Sequence, residues 1–167
     1  MTRIRPAIEA DSEALAEIYN QGIEDRIATF EADRRTVDER RHWLAQHDRR
    51  HPVLVAEEAG EVVGWASLSS YSQRQCYSGV GEFSVYVRRD LRAKGLGTKL
   101  VRSIIEEADG LGYWKIMSRI FTFNEASRRL CSKMGFREVG ILEKHGKLDG
   151  EWIDVVEVER LIPRNLT

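Results

Sequence analysis

From Glu82 to Arg88 apolar and polar positions alternate. Phe83, Val85 and Val87 point one way, and Glu82, Ser84, Tyr86 and Arg88 the other. That period of two predicts a strand with two different faces. A few residues on, the period lengthens: in TKLVRSIIEEADG, residues Leu100, Val101, Ile104, Ile105 and Ala108 share one face of a helix. The same reading orders the rest of the chain. Arg3 to Ala7 forms a short first strand. Asp11 and Ser12 are capping types ahead of Leu15, Ile18, Tyr19 and Ile23 at helical spacing. Thr36-Val37-Asp38-Glu39 is a capping box for a second helix that carries Trp43 and Leu44 and runs until Pro52 stops it. Next, PVLVAEEAGEVVGWASLSSY predicts a hairpin turning near Ala59-Gly60. The polar stretch Tyr71 to Gly81 is too irregular for a strand. Trp114 to Phe123 is rich in strand formers, and Asn124 opens a short helix with Ala126, Leu130 and Met134 on one face and Gly135 as its stop. Two last strands, Phe136 to Leu142 and Trp152 to Leu161, are joined through Gly146-Lys147-Leu148-Asp149-Gly150. The order β-α-α-β-β-β-α-β-α-β-β predicts an α/β (α+β) layering on one sheet.

Composition narrows the function classes. At 167 residues the chain suits one domain, 1–167, with a real core; no repeat or linker divides it. A net charge of −1 offers no global attraction to nucleic acid or an anionic membrane. No apolar run approaches the roughly 20 residues of a membrane span, and the charged start, MTRIRPAIEADSEAL, lacks the apolar segment of a signal peptide. Cys76 and Cys131 give neither a disulfide framework nor metal spacing, and His42, His47, His51 and His145 are not spaced as ligands. The expectation is a cytoplasmic protein with no metal, no nucleic acid and no membrane partner.

The chemistry sits between the central strand and its helix. Arg92-Ala93-Lys94-Gly95-Leu96-Gly97 is basic, glycine-rich, and opens onto a helix N-terminus. Unpaired backbone N–H groups and the positive end of the helix dipole attract phosphate there, and the glycines admit an anion that a Cβ would hold off. The spacing matches neither the P-loop nor the dinucleotide fingerprint. Arg88, Arg89, Lys99 and Arg102 lie near enough in sequence to add charge.

What the stretch resembles is the R/Q-x-x-G-x-G/A signature of the GNAT acetyltransferases, with V-Y-V upstream and Asn124 downstream. The resemblance covers essentially the whole chain. Within that superfamily it is similar to the phosphinothricin N-acetyltransferase group, through IYNQGI, ATFE around Phe30, PVLVAEEAGEVVGWASL, Arg74-Gln-Cys-Tyr77, EFSVYV, RAKGLG, NEAS and DGEWIDV. It implies the GNAT acyl-CoA N-acyltransferase fold, a mixed, mostly antiparallel sheet of about six to seven strands with about four helices, and a homodimer.

The resemblance also implies acetyl-CoA as cosubstrate. Its pyrophosphate is assigned to the backbone of Arg92, Ala93, Lys94, Gly95, Leu96, Gly97 and Thr98, its pantetheine arm to the edge of Val85, Tyr86 and Val87, and a further contact to Asn124, which is also a plausible N-cap. Because an ammonium cannot attack a thioester, a base is needed, and Glu82 matches the family's glutamate. Arg74 and Tyr77 match positions beside the acceptor, and a guanidinium suits a carboxylate or phosphinate; Phe30 reads first as a core plug and, alternatively, as the residue that closes the substrate pocket from the opposite side. Many relatives carry Tyr or His where this chain has Cys131, so Cys131 is assigned no role. The expected reaction is direct acetylation of a small amino-acid-like amine of the phosphinothricin or methionine sulfoximine type. A protein N-terminal or lysine acetyltransferase and a non-catalytic acetyl-CoA sensor are the alternatives.

Overall fold

In the computed structural model, which describes residues 1–167, seven strands form one sheet in the order β1-β2-β3-β4-β5-β7-β6. The strands are β1 (Arg3–Pro6), β2 (Val53–Glu58), β3 (Glu61–Ser70), β4 (Val80–Val87), β5 (Lys115–Phe121), β6 (Arg137–Leu148) and β7 (Glu151–Leu161). The helices are α1 (Ser12–Asp25), α2 (Val37–Ala45), α3 (Leu96–Gly110) and α4 (Glu125–Lys133). All neighbours are antiparallel except β4 and β5. Mixed pairing of this kind follows from the connections: hairpins join β2–β3 and β6–β7, while α3 carries the chain back for the parallel pair.

Helices cover both faces. Leu100, Val101, Ile104, Ile105 and Ala108 of α3 pack on Leu54, Ala66, Leu68 and Phe83 in the main core. Burial stabilises each large aliphatic side chain by roughly 1.5–3 kcal/mol. On the opposite face, Leu15 and Ile18 of α1 pack with Val55 and Trp65, and Trp43 and Leu44 of α2 close over them. The alternation read along β4 therefore divides its side chains between two layers: Phe83 faces α3, and Tyr86 faces α1.

The local signals mostly act as expected. Thr36 accepts from the Glu39 N–H while the Glu39 carboxylate accepts from the Thr36 N–H, which starts α2. At the end of α4, Gly135 takes φ 84°, Phe136 N–H donates to the Cys131 carbonyl and Gly135 N–H to that of Ser132. That is the Schellman pattern.

Three expectations change. Helix α2 ends at Ala45, well before Pro52, because Asp48 Oδ1 collects the N–H groups of Arg50 and His51 into a turn. Asp11 does not cap α1 with its side chain; its carboxylate accepts from Ile8 N–H and from Arg5. Strand β6 runs on to Leu148 across an irregularity between Leu142 and Gly146. The turn is the two-residue Asp149-Gly150, both at positive φ (51° and 81°) as a tight hairpin needs.

Candidate active site

Strands β4 and β5 pair over only three positions, Val80↔Lys115, Gly81↔Ile116 and Glu82↔Met117. Beyond them each strand keeps its other neighbour: β4 stays on β3 as far as Val87↔Gly64, and β5 stays on β7 as far as Phe121↔Val155. The sheet therefore splits between the two strands. Ser118 Oγ bridges the start of the split by donating to the Phe83 carbonyl at 3.0 Å. Since the Phe83 carbonyl faces the split, the period of two turns the N–H and C=O groups of Val85 and Val87 the same way. Tyr86 turns its main-chain groups to β3.

At the far end of the split the chain enters the glycine-rich loop. Ala93 (φ 61°) and Gly95 (φ 88°) are both left-handed, and interruptions of that kind converge successive N–H groups into an anion-binding nest. Gly95 is the N-cap of α3, and the helical ladder begins with Lys99 N–H on the Gly95 carbonyl (3.2 Å). The N–H groups of Leu96, Gly97 and Thr98 thus have no partner within the helix. A Cβ on Gly97 would stand 3.2 Å from Leu130 Cδ2, so the first turn of α3 lies close against α4. Together these elements enclose a cleft of about 300 Å³.

The nearby arginines are not free to add charge. Arg92 pairs with Asp25 and reaches the Val87 carbonyl (3.3 Å), Arg89 pairs with Asp25 and Glu24, and Arg88 pairs with Asp90 and Glu61. Lys99 donates to Thr2 Oγ1, and Arg102 and Lys94 are exposed. What the arginines do is pin the loop to the end of α1. Hydrogen bonds from Arg89, together with Arg92, hold the Asp25 carboxyl below its ordinary range. Asn124 is the N-cap of α4: it accepts from Ser127 N–H, donates to the Ile27 carbonyl, and also lines the cleft.

On the other face of β4 the cross-strand pairs Ser69↔Glu82, Ser67↔Ser84 and Trp65↔Tyr86 form three steps. Glu82 stands at the last paired position before the split, its side chain 31% exposed and its Oε1 3.6 Å from Arg119 Nη1. Arg119 in turn donates to Glu157. Ser67, Ser69 and Ser84 open into a cavity of about 420 Å³, which adjoins a second of about 490 Å³. Tyr19, Glu31, Ser84 and Tyr86 line both.

Phe30 sits between core and cavity. It packs edge-on against Phe121 (4.7 Å) and under Gly146, yet it also lines the second cavity. Arg74 and Tyr77 lie elsewhere. They occupy the exposed loop between β3 and β4, with the guanidinium 5.5 Å from the Tyr77 ring centre, and neither lines either of these two cavities. Cys131 is 3% exposed at the floor of the split, and burial pushes its thiol up to about 12. It stays protonated near neutrality, which fits the absence of a nucleophilic role.

The sequence reading missed Arg40. Its side chain, on α2, is buried and lines the first cavity among Tyr19, Trp43 and Trp65. On the sequence it is one charge in VDERRHW, and nothing local separates it from Arg41.

A strand parted from its neighbour and ending in a run of unpaired N–H groups suits an extended ligand that carries amides along its length and an anion at its end. No group of three or more His, Cys, Asp or Glu side chains is placed to hold a metal ion. The family model for the acetyltransferase (GNAT) domain matches residues 4–156. The chain belongs to the GNAT acetyltransferase family, as an acetyl-CoA-dependent N-acetyltransferase. An L-methionine sulfoximine/L-methionine sulfone acetyltransferase of Pseudomonas aeruginosa is 34% identical over 91% of this chain and 90% of its own. A ribosomal-protein-alanine N-acetyltransferase from Brucella melitensis superposes with a TM-score of 0.93 at 35% identity, over 96% of this chain and 99% of its own. A phosphinothricin acetyltransferase from Sinorhizobium meliloti, solved in complex with acetyl-CoA, gives a TM-score of 0.91 at 26% identity, over 96% and 88%.

Proposed function

We propose that this protein acetylates the primary amine of a small amino-acid-like acceptor, of the phosphinothricin or methionine sulfoximine type, by direct attack with Glu82 as general base. The observation that carries the reading is the split beginning immediately after Glu82. It leaves cofactor-facing main chain on one side of β4 and an acceptor cavity on the adjoining face.

Acetyl-CoA supplies an acetyl group activated as a thioester. Val85 and Val87 offer main-chain groups to the amides of its arm, in the manner of an added strand. The backbone from Arg92 to Thr98 takes the pyrophosphate, and Asn124 lines the same cleft. A Val85 N–H aimed into the split meets negative charge as it develops on the acyl oxygen. Glu82 receives the proton that the amine sheds, directly or through one water. Arg74 and Tyr77 line neither cavity in this structure, so they would reach the acceptor only by the loop beside the Glu82 end of β4 closing over it; Phe30 lines the second cavity.

The test is release of free coenzyme A thiol with phosphinothricin, methionine sulfoximine, the common amino acids, a polyamine and a short peptide. Turnover on the amino-acid-like acceptors should fall by ~100-fold or more in Glu82→Gln. A variant with unchanged rate and pH profile rules the base out. The likeness to the Brucella ribosomal-protein-alanine enzyme favours a second reading, protein N-terminal acetylation, which turnover on the peptide alone would establish. Coenzyme binding without turnover on any amine leaves the sensor.

A homodimer belongs to the same reading. Val139 and Ile141 on the edge strand β6, and Trp152 on β7, are 45%, 55% and 56% exposed, an apolar margin that a second copy would cover. A monomer mass in solution scattering would refute it. The unpaired Cys76 and Cys131 suit the reducing cytoplasm, and no helix is long and apolar enough to cross a membrane.

A further inference from the structure

Arg40 is 5% exposed, yet no carboxylate pairs with it and its Nε has no hydrogen-bond partner. A buried cation is costly unless something compensates it. Part of the compensation is aromatic: the guanidinium carbon lies 3.8 Å from the centre of the Tyr19 ring, 4.3 Å from that of Trp43 and 5.3 Å from that of Trp65. Ring faces replace hydration but accept no directed hydrogen bonds, so donors remain for a ligand. The residue lines the 420 Å³ cavity, where the other charged groups are already engaged. Arg35 pairs with Glu31, and Glu39 closes the capping box on Thr36.

We propose that Arg40 is the recognition residue for an anionic group, a carboxylate or phosphinate, carried by the acceptor at the end remote from its reacting amine, so that it favours the phosphinothricin type over methionine sulfoximine, whose remote end is neutral. The inference rests on the acceptor reading above and adds to it a specificity-determining residue. Position decides which end is read. Arg40 stacks on Trp65, the cross-strand partner of Tyr86, and Tyr86 lies roughly 13 Å along β4 from Glu82 at the rise of a strand. The α-carboxylate, one carbon from the amine, is too near to serve both ends. A side-chain acid several bonds away, with the reach of Glu82 and one relaying water, closes the span. The planar fork of arginine matches such an oxyanion in two parallel bonds, and the aromatic cage holds it in orientation.

The test compares phosphinothricin with the methyl ester of its phosphinate, which loses the charge and adds one methyl, and with methionine sulfoximine, which is neutral without the added group. Wild type should favour the acid by about 10- to 100-fold in kcat/KM, the range of a charge-assisted hydrogen bond. Arg40→Gln should abolish that preference while leaving KM for acetyl-CoA unchanged, and Arg40→Lys should restore part of it. Binding is read separately in wild type and in Arg40→Gln by tryptophan fluorescence, since Trp43 and Trp65 flank the guanidinium. With coenzyme A present and no acetyl group to transfer, the acid should change the emission at lower concentration than the ester. Equal kcat/KM for acid and ester in wild type overturns the assignment, whatever the variants do. A preference that survives in Arg40→Gln overturns it too, yet leaves the amino-acid acceptor reading standing. Fluorescence binding that needs Arg40 and the charge, without turnover, supports the anion site and sinks the acceptor reading instead.

Discussion

Gly22 lies inside α1, where replacement by alanine should by helix propensity alone stabilise the fold by about 1 kcal/mol. The structure predicts the opposite. A Cβ at Gly22 would stand 2.8 Å from Tyr86 Cε1 and 2.9 Å from Cδ1, whereas carbon atoms settle at about 3.5–4.0 Å. The ring or the helix must therefore yield by about 1 Å. The ring has little room: it is stacked on Trp65 at 4.8 Å and meets Tyr19 edge-on at 5.0 Å. Overpacking of this kind costs about 1–3 kcal/mol, so the net change in Gly22→Ala is a loss of about 0–2 kcal/mol. The functional effect is larger, because Tyr86 lines the cleft proposed for the coenzyme and both cavities proposed for the acceptor. Displacing a positioning group by an ångström costs on the order of 100-fold, so kcat/KM should fall ~10- to 100-fold. Urea unfolding at constant m and steady-state kinetics measure the two effects. Gly110→Ala, at the end of α3 where a Cβ meets nothing within 4 Å, serves as the control and should be neutral or stabilising. A Gly22→Ala protein with a raised urea midpoint and wild-type kinetics would refute the packing argument.

Other perturbations test separate parts of the site and fold. Cys131→Ala should keep kcat/KM within about twofold while losing about 1 kcal/mol for the emptied sulfur site; a large fall in kcat would give the thiol a catalytic part after all. Arg74→Ala should raise KM for the acceptor far more than for acetyl-CoA, and an unchanged acceptor KM would leave recognition to residues inside the cavity. For Asp11, burial acts to raise the carboxyl, and hydrogen bonds from Arg5 and the Ile8 N–H outweigh it, so the folded value lies below the ordinary one. A depressed folded value means stability that is present above the unfolded value of about 3.9 and is lost as pH falls through the folded one. Asp11→Asn should therefore cost about 1–3 kcal/mol at pH 7, with the gap to wild type closing below about pH 4. A gap constant from pH 7 to pH 3 would show that the pair contributes nothing.

What the sequence discloses about this fold is what is local. The period of β4, the Thr36 box and the Gly135 stop each act through neighbours within a turn or two, and each appears in place. The length of β6 was hidden because its interruption between Leu142 and Gly146 breaks the alternation, although Asp149-Gly150 was a usable hairpin signal. The end of α2 was assigned to Pro52 because proline is the louder stop; the quieter Asp48 turn acts first.

The same division runs through the site. The residues proposed to hold the coenzyme run mostly in one stretch, from the edge of β4 through the loop to α3, with Asn124 added from the cap of α4, so that stretch carries both a pattern and a chemistry. The cavity proposed for the acceptor's remote end is assembled from β3, β4, α1 and α2, and no stretch of chain spells it out. That is why Arg74, which matches a motif, stands on an exposed loop, while Arg40, which matches none, lies at the centre of an aromatic cage. The cage forms only because the hydrophobic pattern of α1 forces Tyr19 onto the sheet beside Trp65, and the capping box sets the phase of α2 that brings Arg40 over them. The surroundings on which the proposed recognition role of Arg40 rests come from three separate elements, which only folding brings together. If that role holds, acceptor specificity should shift with substitutions at Tyr19 or Trp43 as readily as with changes beside Glu82.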